Sequence, residues 1–266
     1  MKRTVFAAQL LLAALLLWPS TASAQKKPLD HDVYDSWESV SSLKLTDDGR
    51  IVAYQVRPQQ GDSRLVFRNL ENGAELEVER GGGVVISKDG GAAVFTIKAP
   101  YAETRQARID GKKADEMPRD SVAYVDLRNF ELVNLGPAKS FRTGWSASPY
   151  IFATLYGDPE DKKKSGDAYE LLMYNTATEA ADTLRNIVDY TVSKSGEKFA
   201  AVVEKKVNDS TTVKAVKLYD FASGLSAELS SGKEDYAAMS FNDADDKLVF
   251  TATDEKENSV GTPAYS

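Results

Sequence analysis

Few residues in this chain have the types and spacing that chemistry needs. The nearest approach to a nucleophile elbow is Gly144-Trp145-Ser146-Ala147-Ser148. An elbow sets its serine on a sharp turn between a strand and a helix, with a glycine two residues to either side. Here the last position is Ser148, and Pro149 and an apolar run at 150–155 follow, so Ser146 reads as structural. His31 is the single histidine and lies in a polar stretch near the start. A general base must sit within hydrogen-bond reach of its partner, and His31 lies in a polar lead-in before the first blade, so it reads as solvated or structural. Asp243-Ala244-Asp245-Asp246 has the oxygens for Ca²⁺ but lacks the glycine and closing glutamate of an EF-hand loop, so it reads as a turn. Gly81-Gly82-Gly83 precedes a strand-like run, whereas a phosphate loop leads from a strand into a helix. It reads as a flexible connection. Tyr34 and Trp37 read as anchors that pack a leading segment against the first blade or at a domain interface, with ligand contact the lesser alternative. No catalytic, cofactor-binding or metal-binding residue is therefore assigned.

Composition narrows the classes further. The 266 residues include 33 Lys and Arg, 40 Asp and Glu, and no cysteine. Without cysteine there is no disulfide scaffold, thiolate metal site, iron–sulfur cluster or thiol nucleophile. One histidine leaves no multi-histidine metal site. A net charge of −7 argues against a general nucleic-acid binder, which carries a basic face.

Residues 1–24 read as a secretory signal peptide. Lys2 and Arg3 precede an apolar run from Val5 to Leu17, and Ala22-Ser23-Ala24 forms a cleavage site with the cut expected after Ala24. The run is shorter than the ~20 residues that span a bilayer. The expected location is the periplasm or the medium, with no membrane contact after cleavage.

The elements behind these residues repeat. Five apolar runs begin at Val52, Ala93, Ile151, Ala200 and Leu248, spaced by 41, 58, 49 and 48 residues. Before them come turns such as Thr46-Asp47-Asp48-Gly49, Ser87-Lys88-Asp89-Gly90, Ser193-Lys194-Ser195-Gly196 and Asn242 to Asp246; Ser146 to Pro149 replaces the turn in the third copy. A second hairpin alternates with the first and turns at Asn69, Asp126, Asn175 and Asp220, where the side chain can cap the local backbone. Two alternating hairpins, four short strands in about 40–50 residues, are the unit of a β-propeller blade. The fold class is therefore all-β, a propeller of four-stranded blades, with about four and a half blades over 41–266 after a lead-in at 25–40. An unfinished blade leaves a sheet edge open, so an incomplete part of a larger propeller is expected. Lys98 to Asp120 is a charged rim insertion in the second blade, with a short helix expected over Glu103 to Ile109. Gly157 to Asp167 is a solvated loop at the same place in the third.

Four stretches carry a resemblance to a known family. They are Lys27 to Trp37, Leu45 to Tyr54, the insertion with Thr104-Arg105-Gln106-Ala107 and Lys112 to Ser121, and Lys139-Ser140-Phe141-Arg142 leading into Gly144-Trp145. Through them most of the chain after residue 24 resembles the N-terminal propeller of secreted prolyl oligopeptidase family serine peptidases, in the bacterial branch related to dipeptidyl peptidase IV. The resemblance implies a longer protein. Its α/β-hydrolase domain would hold the serine, aspartate and histidine, and the propeller would admit only short peptides to them. No Glu-Glu dipeptide of the kind that holds a substrate amino terminus in that branch occurs, so no such anchor is assigned.

Three readings follow. The first is a non-catalytic, substrate-gating propeller portion of an exported serine peptidase, inactive alone. Its partners would be the hydrolase domain of the same chain and peptide substrates. The second is a stand-alone periplasmic propeller serving as a binding or scaffold module. The third is a propeller fused to a sensor or adhesin domain.

Overall fold

A computed structural model of the protein describes residues 34–35, 37–144, 148–157, 168–208 and 211–254, and the backbone of two short strands at 257–261 and 264–265. The segment 1–24, His31, and Trp145 to Ala147 with the elbow-like Ser146 lie outside the described residues.

The strands form antiparallel meanders of four. Blade I is β1 (Glu38–Leu45), β2 (Ile51–Pro58), β3 (Arg64–Asn69) and β4 (Glu75–Glu79), paired in that order. Blade II is β5 (Gly81–Ile86), β6 (Ala92–Ile97), β7 (Ser121–Asp126) and the first half of β8 (Glu131–Thr143). The second half of β8 turns into the inner strand of blade III, with β9 (Tyr150–Leu155), β10 (Tyr169–Asn175) and the first half of β11 (Ala181–Val192). The rest of β11 opens blade IV, with β12 (Lys198–Asn208), β13 (Thr211–Asp220) and β14 (Leu225–Gly232). β15 (Asp235–Phe241) and β16 (Leu248–Asp254) begin blade V, and β17 (Glu257–Gly261) and β18 (Ala264–Tyr265) both pair with β16. Because β8 and β11 each serve two blades, blades II to IV hydrogen-bond as one continuous ten-stranded ribbon.

The apolar runs are continuous because the middle strands are covered on both faces. Alternate side chains enter different layers, as the two-residue strand period requires. On β6, Ala93 and Phe95 pack with Phe67 of blade I, while Val94 packs with Ile151 of blade III. On β9, Ile151 and Ala153 face blade II, while Phe152 packs with Tyr190 and Phe199 of blade IV. On β12, Phe199 and Ala201 face blade III, while Ala200 and Val202 pack with Phe250 of blade V. The outer strand β14, with one face uncovered, is mostly exposed.

The second-hairpin turns close as their residue types predict. Asn69, Asp126, Asn175 and Asp220 each accept a backbone N–H from two residues on through Oδ1. The first-hairpin turns share another device. The hydroxyls of Thr46, Ser87 and Ser193 accept the N–H five residues on, from Ile51, Ala92 and Lys198. Asn242 does the same with Lys247 through Oδ1. Each inner strand also carries a bulge. Register breaks at Ser41/Lys44, Gly82/Val85, Ala138/Ser140, Ile187/Asp189 and Ala237/Ser240. Bulges sharpen local twist, which these crowded strands need. Gly83, read as part of a flexible connection, instead lies within β5 at φ 65° and forms the bulge of blade II.

Asp245 takes the position that Gly49, Gly90 and Gly196 hold in the other first-hairpin turns, at φ 57°. Its carboxylate reaches back to the turn of blade IV, accepting the N–H of Lys194 at 2.9 Å and of Ser195 at 2.8 Å. Partial burial opposes its ionisation, but the bonds from Ser195 and Lys194 outweigh it and hold the carboxyl below its ordinary value of 3.8. Asp245→Ala is expected to cost about 1–2 kcal/mol, since it loses charge-assisted bonds and keeps the left-handed backbone. Asp245→Gly should cost about 1 kcal/mol less, because glycine accepts that φ freely. A lowered carboxyl pKa stabilises above the unfolded value and loses its effect as pH falls through the folded one. The gap between wild type and Asp245→Asn in urea unfolding should therefore be full at neutral pH and close below pH 3.8. Equal midpoints at pH 7 would remove the carboxylate from the link.

Candidate functional site

Antiparallel meanders put the first- and second-hairpin turns on one rim and the connections between second and third strands on the other. The turn rim is tight and repetitive. The opposite rim holds the connections at 59–63 and 98–120, and all of the helix of the described residues from Trp37 onward. Beyond Gly157, the loop expected up to Asp167 lies outside the described residues.

The insertion at 98–120 is built onto that rim from three sides. Its helix α1 (Tyr101–Ile109) begins two residues earlier than the sequence pattern suggests, with Pro100 at the N-cap position at φ −55°. The Tyr101 N–H donates to Asp62 Oδ1 of blade I at 2.8 Å, where a carboxylate suits the positive end of a helix. Ala107 is the buried residue of α1, and Gly111 at φ 68° ends it. A short 3₁₀ turn follows at Ala114–Glu116, closed by the Lys113 N–H donating to Glu116. Asp120 then clips the two ends of the insertion together. It pairs with Lys98 at 2.7 Å and accepts the Ala99 N–H at 2.9 Å. On the blade III side, the Asp120 N–H donates to the Tyr156 hydroxyl, and Arg119 donates to the Gly157 carbonyl. The Tyr156 ring has Arg119 at 5.2 Å and Lys139 at 5.9 Å from its centre.

Two adjoining depressions open between the insertion and blade I. One, of about 360 Å³, is lined by residues that include Gln55, Arg57, Ser63, Gly82, Gly83 and Lys98. The other, of about 370 Å³, is lined by residues that include Asp62, Arg80, Lys98, Arg105, Arg108 and Asp120. Gly61, Ser63 and Lys98 line both. A third cavity of about 290 Å³ lies on the inner strands, where Phe141 and Arg142 meet Val85 and Thr191. There Arg142 donates to the Tyr190 carbonyl and lies 4.7 Å from the Tyr190 ring centre. Burial pushes the Tyr190 phenol upward, so the ring stays neutral beneath the guanidinium.

The residues singled out in the sequence fall elsewhere. The Asp243 to Asp246 oxygens are spent on the turn: Asp243 on Lys194, Asp245 on blade IV and Asp246 on Asn242. Trp37 stands 53% exposed ahead of β1, its carbonyl accepting the Gln59 N–H. The arginines of the depressions come from β2, the blade I to II crossover and α1, a spread that no local motif reveals. Arg105 alone of them lies in a stretch carrying the family resemblance.

These blades and this rim define the class of protein: an all-β chain of propeller blades. No family model matches the chain, and no curated relative does. Among solved structures it is similar to the β-propeller domain of the Trilobed protease of Pyrococcus furiosus, at 13% identity and a TM-score of 0.46, covering 87% of this chain and 69% of that one. It is similar to a structure from work on two prolyl endopeptidases, at 14% identity and a TM-score of 0.47, covering 87% of this chain and 35% of that one. It is also similar to a eukaryotic initiation factor, at 16% identity and a TM-score of 0.46, covering 84% of this chain and 51% of that one. Among the described residues no helix is long and apolar enough to cross a membrane.

Proposed function

We propose that this chain is the substrate-facing, non-catalytic propeller portion of an exported serine peptidase of the prolyl oligopeptidase family, acting on short peptides. The observation that carries the reading is the asymmetry of the two rims. One rim is closed by short turns, while the other bears a 98–120 insertion tied to blades I and III and opening two depressions. A structural rim needs no such insertion; a gating rim does. The residues Thr104 to Ala107 and Lys112 to Ser121, which resemble the family, build that rim. The hydrolase domain would dock over it and supply the serine, aspartate and histidine.

The test is to read the coding frame past codon 266 and express the chain with whatever follows. The expected result is a G-x-S-x-G elbow with a later aspartate and histidine. A fluorophosphonate probe should then label the longer protein and leave residues 25–266 alone unlabelled. A stop codon directly after Ser266 would sink the peptidase reading and favour a stand-alone binding module.

A further inference from the structure

The paired depressions between blade I and the insertion concentrate cations in a chain whose net charge is −7. Arg57, Arg80, Lys98, Arg105 and Arg108 line them, against two carboxylates. Both carboxylates are committed: Asp62 to the Tyr101 N–H, and Asp120 to Lys98 and the Ala99 N–H. Among the described residues Arg80, Arg105 and Arg108 form no ion pair.

The floor is built rather than incidental. Gln55 is a polar side chain only 4% exposed. Its Nε2 donates to Ser63 Oγ and to the Gly81 carbonyl, and its Oε1 accepts Arg57 Nε at 2.8 Å. Arg57 is thus held by one nitrogen, and the two terminal nitrogens are left for an anion, in the planar fork that matches a carboxylate. A Cβ on Gly82 would stand 2.7 Å from Gln55 Nε2, so glycine there is what lets Gln55 occupy the floor.

Arg80 adds a second sign. It sits at the blade I to II crossover with φ 61°, its N–H donating to Ser63 and its carbonyl accepting the Lys98 N–H. Near the next two crossovers the left-handed residues are Gly136 and Asn186, types that adopt this backbone readily. An arginine held there gives up stability to place its guanidinium at the depression.

We propose that these depressions bind the carboxylate of an extended peptide. The cations are spread along two adjoining cavities instead of converging on one point, which suits a chain bearing a carboxylate better than a compact anion. The bulge in β5 also takes Gly83, on the cavity wall, out of the strand ladder, where its backbone can pair with an extended chain. The inference does not depend on the peptidase reading, since binding is read without turnover.

Fluorescence anisotropy on the full chain tests it with three labelled pentapeptides and a competitor: one without charged side chains and with a free C-terminal carboxylate, its neutral amide, an amidated version carrying one glutamate, and inorganic phosphate as competitor. At least one carboxylate peptide should bind about tenfold or more tighter than the neutral amide, and which one identifies the α-carboxylate or the side chain as the source. Arg105→Gln with Arg108→Gln, exposed on α1 and compatible with its helix, should erase that preference. Arg80→Gly should weaken binding while raising the urea midpoint, a combination that a purely structural arginine would not produce. Equal binding of the neutral amide, an unchanged preference in the double variant, or phosphate binding with no peptide preference would overturn the proposal.

Discussion

Phe152→Ala is expected to cost about 3–5 kcal/mol, the range for emptying a buried aromatic site. Phe152 is fully buried on β9 and is the centre of the layer between blades III and IV. Its ring stacks on Phe199 at 4.7 Å with an interplanar angle of 11° and lies 6.0 Å from Phe221 and 6.4 Å from Tyr190. Truncation removes the partner of several rings at once, and the neighbouring strands are held in register by β8, β10 and β12. The site therefore cannot collapse to fill the void. Urea unfolding should show a lower midpoint, and Phe152→Leu should recover more than half of the loss. A Phe152→Ala unfolding free energy within about 0.5 kcal/mol of wild type would show that blades III and IV do not depend on this stack.

Gly144→Ala should be comparably damaging for the opposite reason, excess rather than missing volume. A Cβ at position 144 would stand 2.2 Å from Gly196 Cα, 2.3 Å from Gly196 N and 2.6 Å from the Ser193 carbonyl oxygen. All three obstacles are backbone atoms, so no flexible side chain can swing aside. That backbone is also pinned. Ser193 Oγ accepts the Lys198 N–H, and the Ser195 N–H is bound by Asp245 of blade V. Overpacking costs about 1–3 kcal/mol where neighbours can shift, and here the loss should reach about 3 kcal/mol or more. Wild-type unfolding of Gly144→Ala, read by urea titration with far-UV circular dichroism, would refute the close approach. In the sequence Gly144 draws notice as the first position of an elbow-like motif. The structure assigns it a packing role between two blades.

Much of the architecture was legible because strand and turn chemistry is local. The runs starting at Val52, Ala93, Ile151, Ala200 and Leu248 fall in β2, β6, β9, β12 and β16. They read clearly since a strand sandwiched between two blades must be apolar on both faces. Asn69, Asp126, Asn175 and Asp220 marked their turns because an Asx side chain caps the backbone two residues on without help from the rest of the fold. The insertion at 98–120 stood out by its charge and by the lengthened repeat. Its helix starts two residues before the expected Glu103, at Tyr101, where the N–H is met by Asp62 of another blade and periodicity gives no signal.

The candidate site was far less legible. Arg57, Arg80, Arg105 and Arg108 come from three elements, and only the stacking of blade II on blade I, with α1 tied to Asp62, brings them to one rim. Asp245 looked like part of an acidic cluster, and its partner is a turn 50 residues away. The inner-strand bulges at Ser42, Gly83 and Ala238 share a backbone shape but no residue type, since they answer to crowding among blades. The sequence by itself determined the blade: the alternation of two hairpins, their turns and the apolar middle strands, all set by interactions within a few residues. The tertiary structure alone decided which glycines must have no side chain and which cations meet. Those outcomes depend on the contact of one blade with the next, and such contacts join residues too far apart in the chain to leave a local pattern.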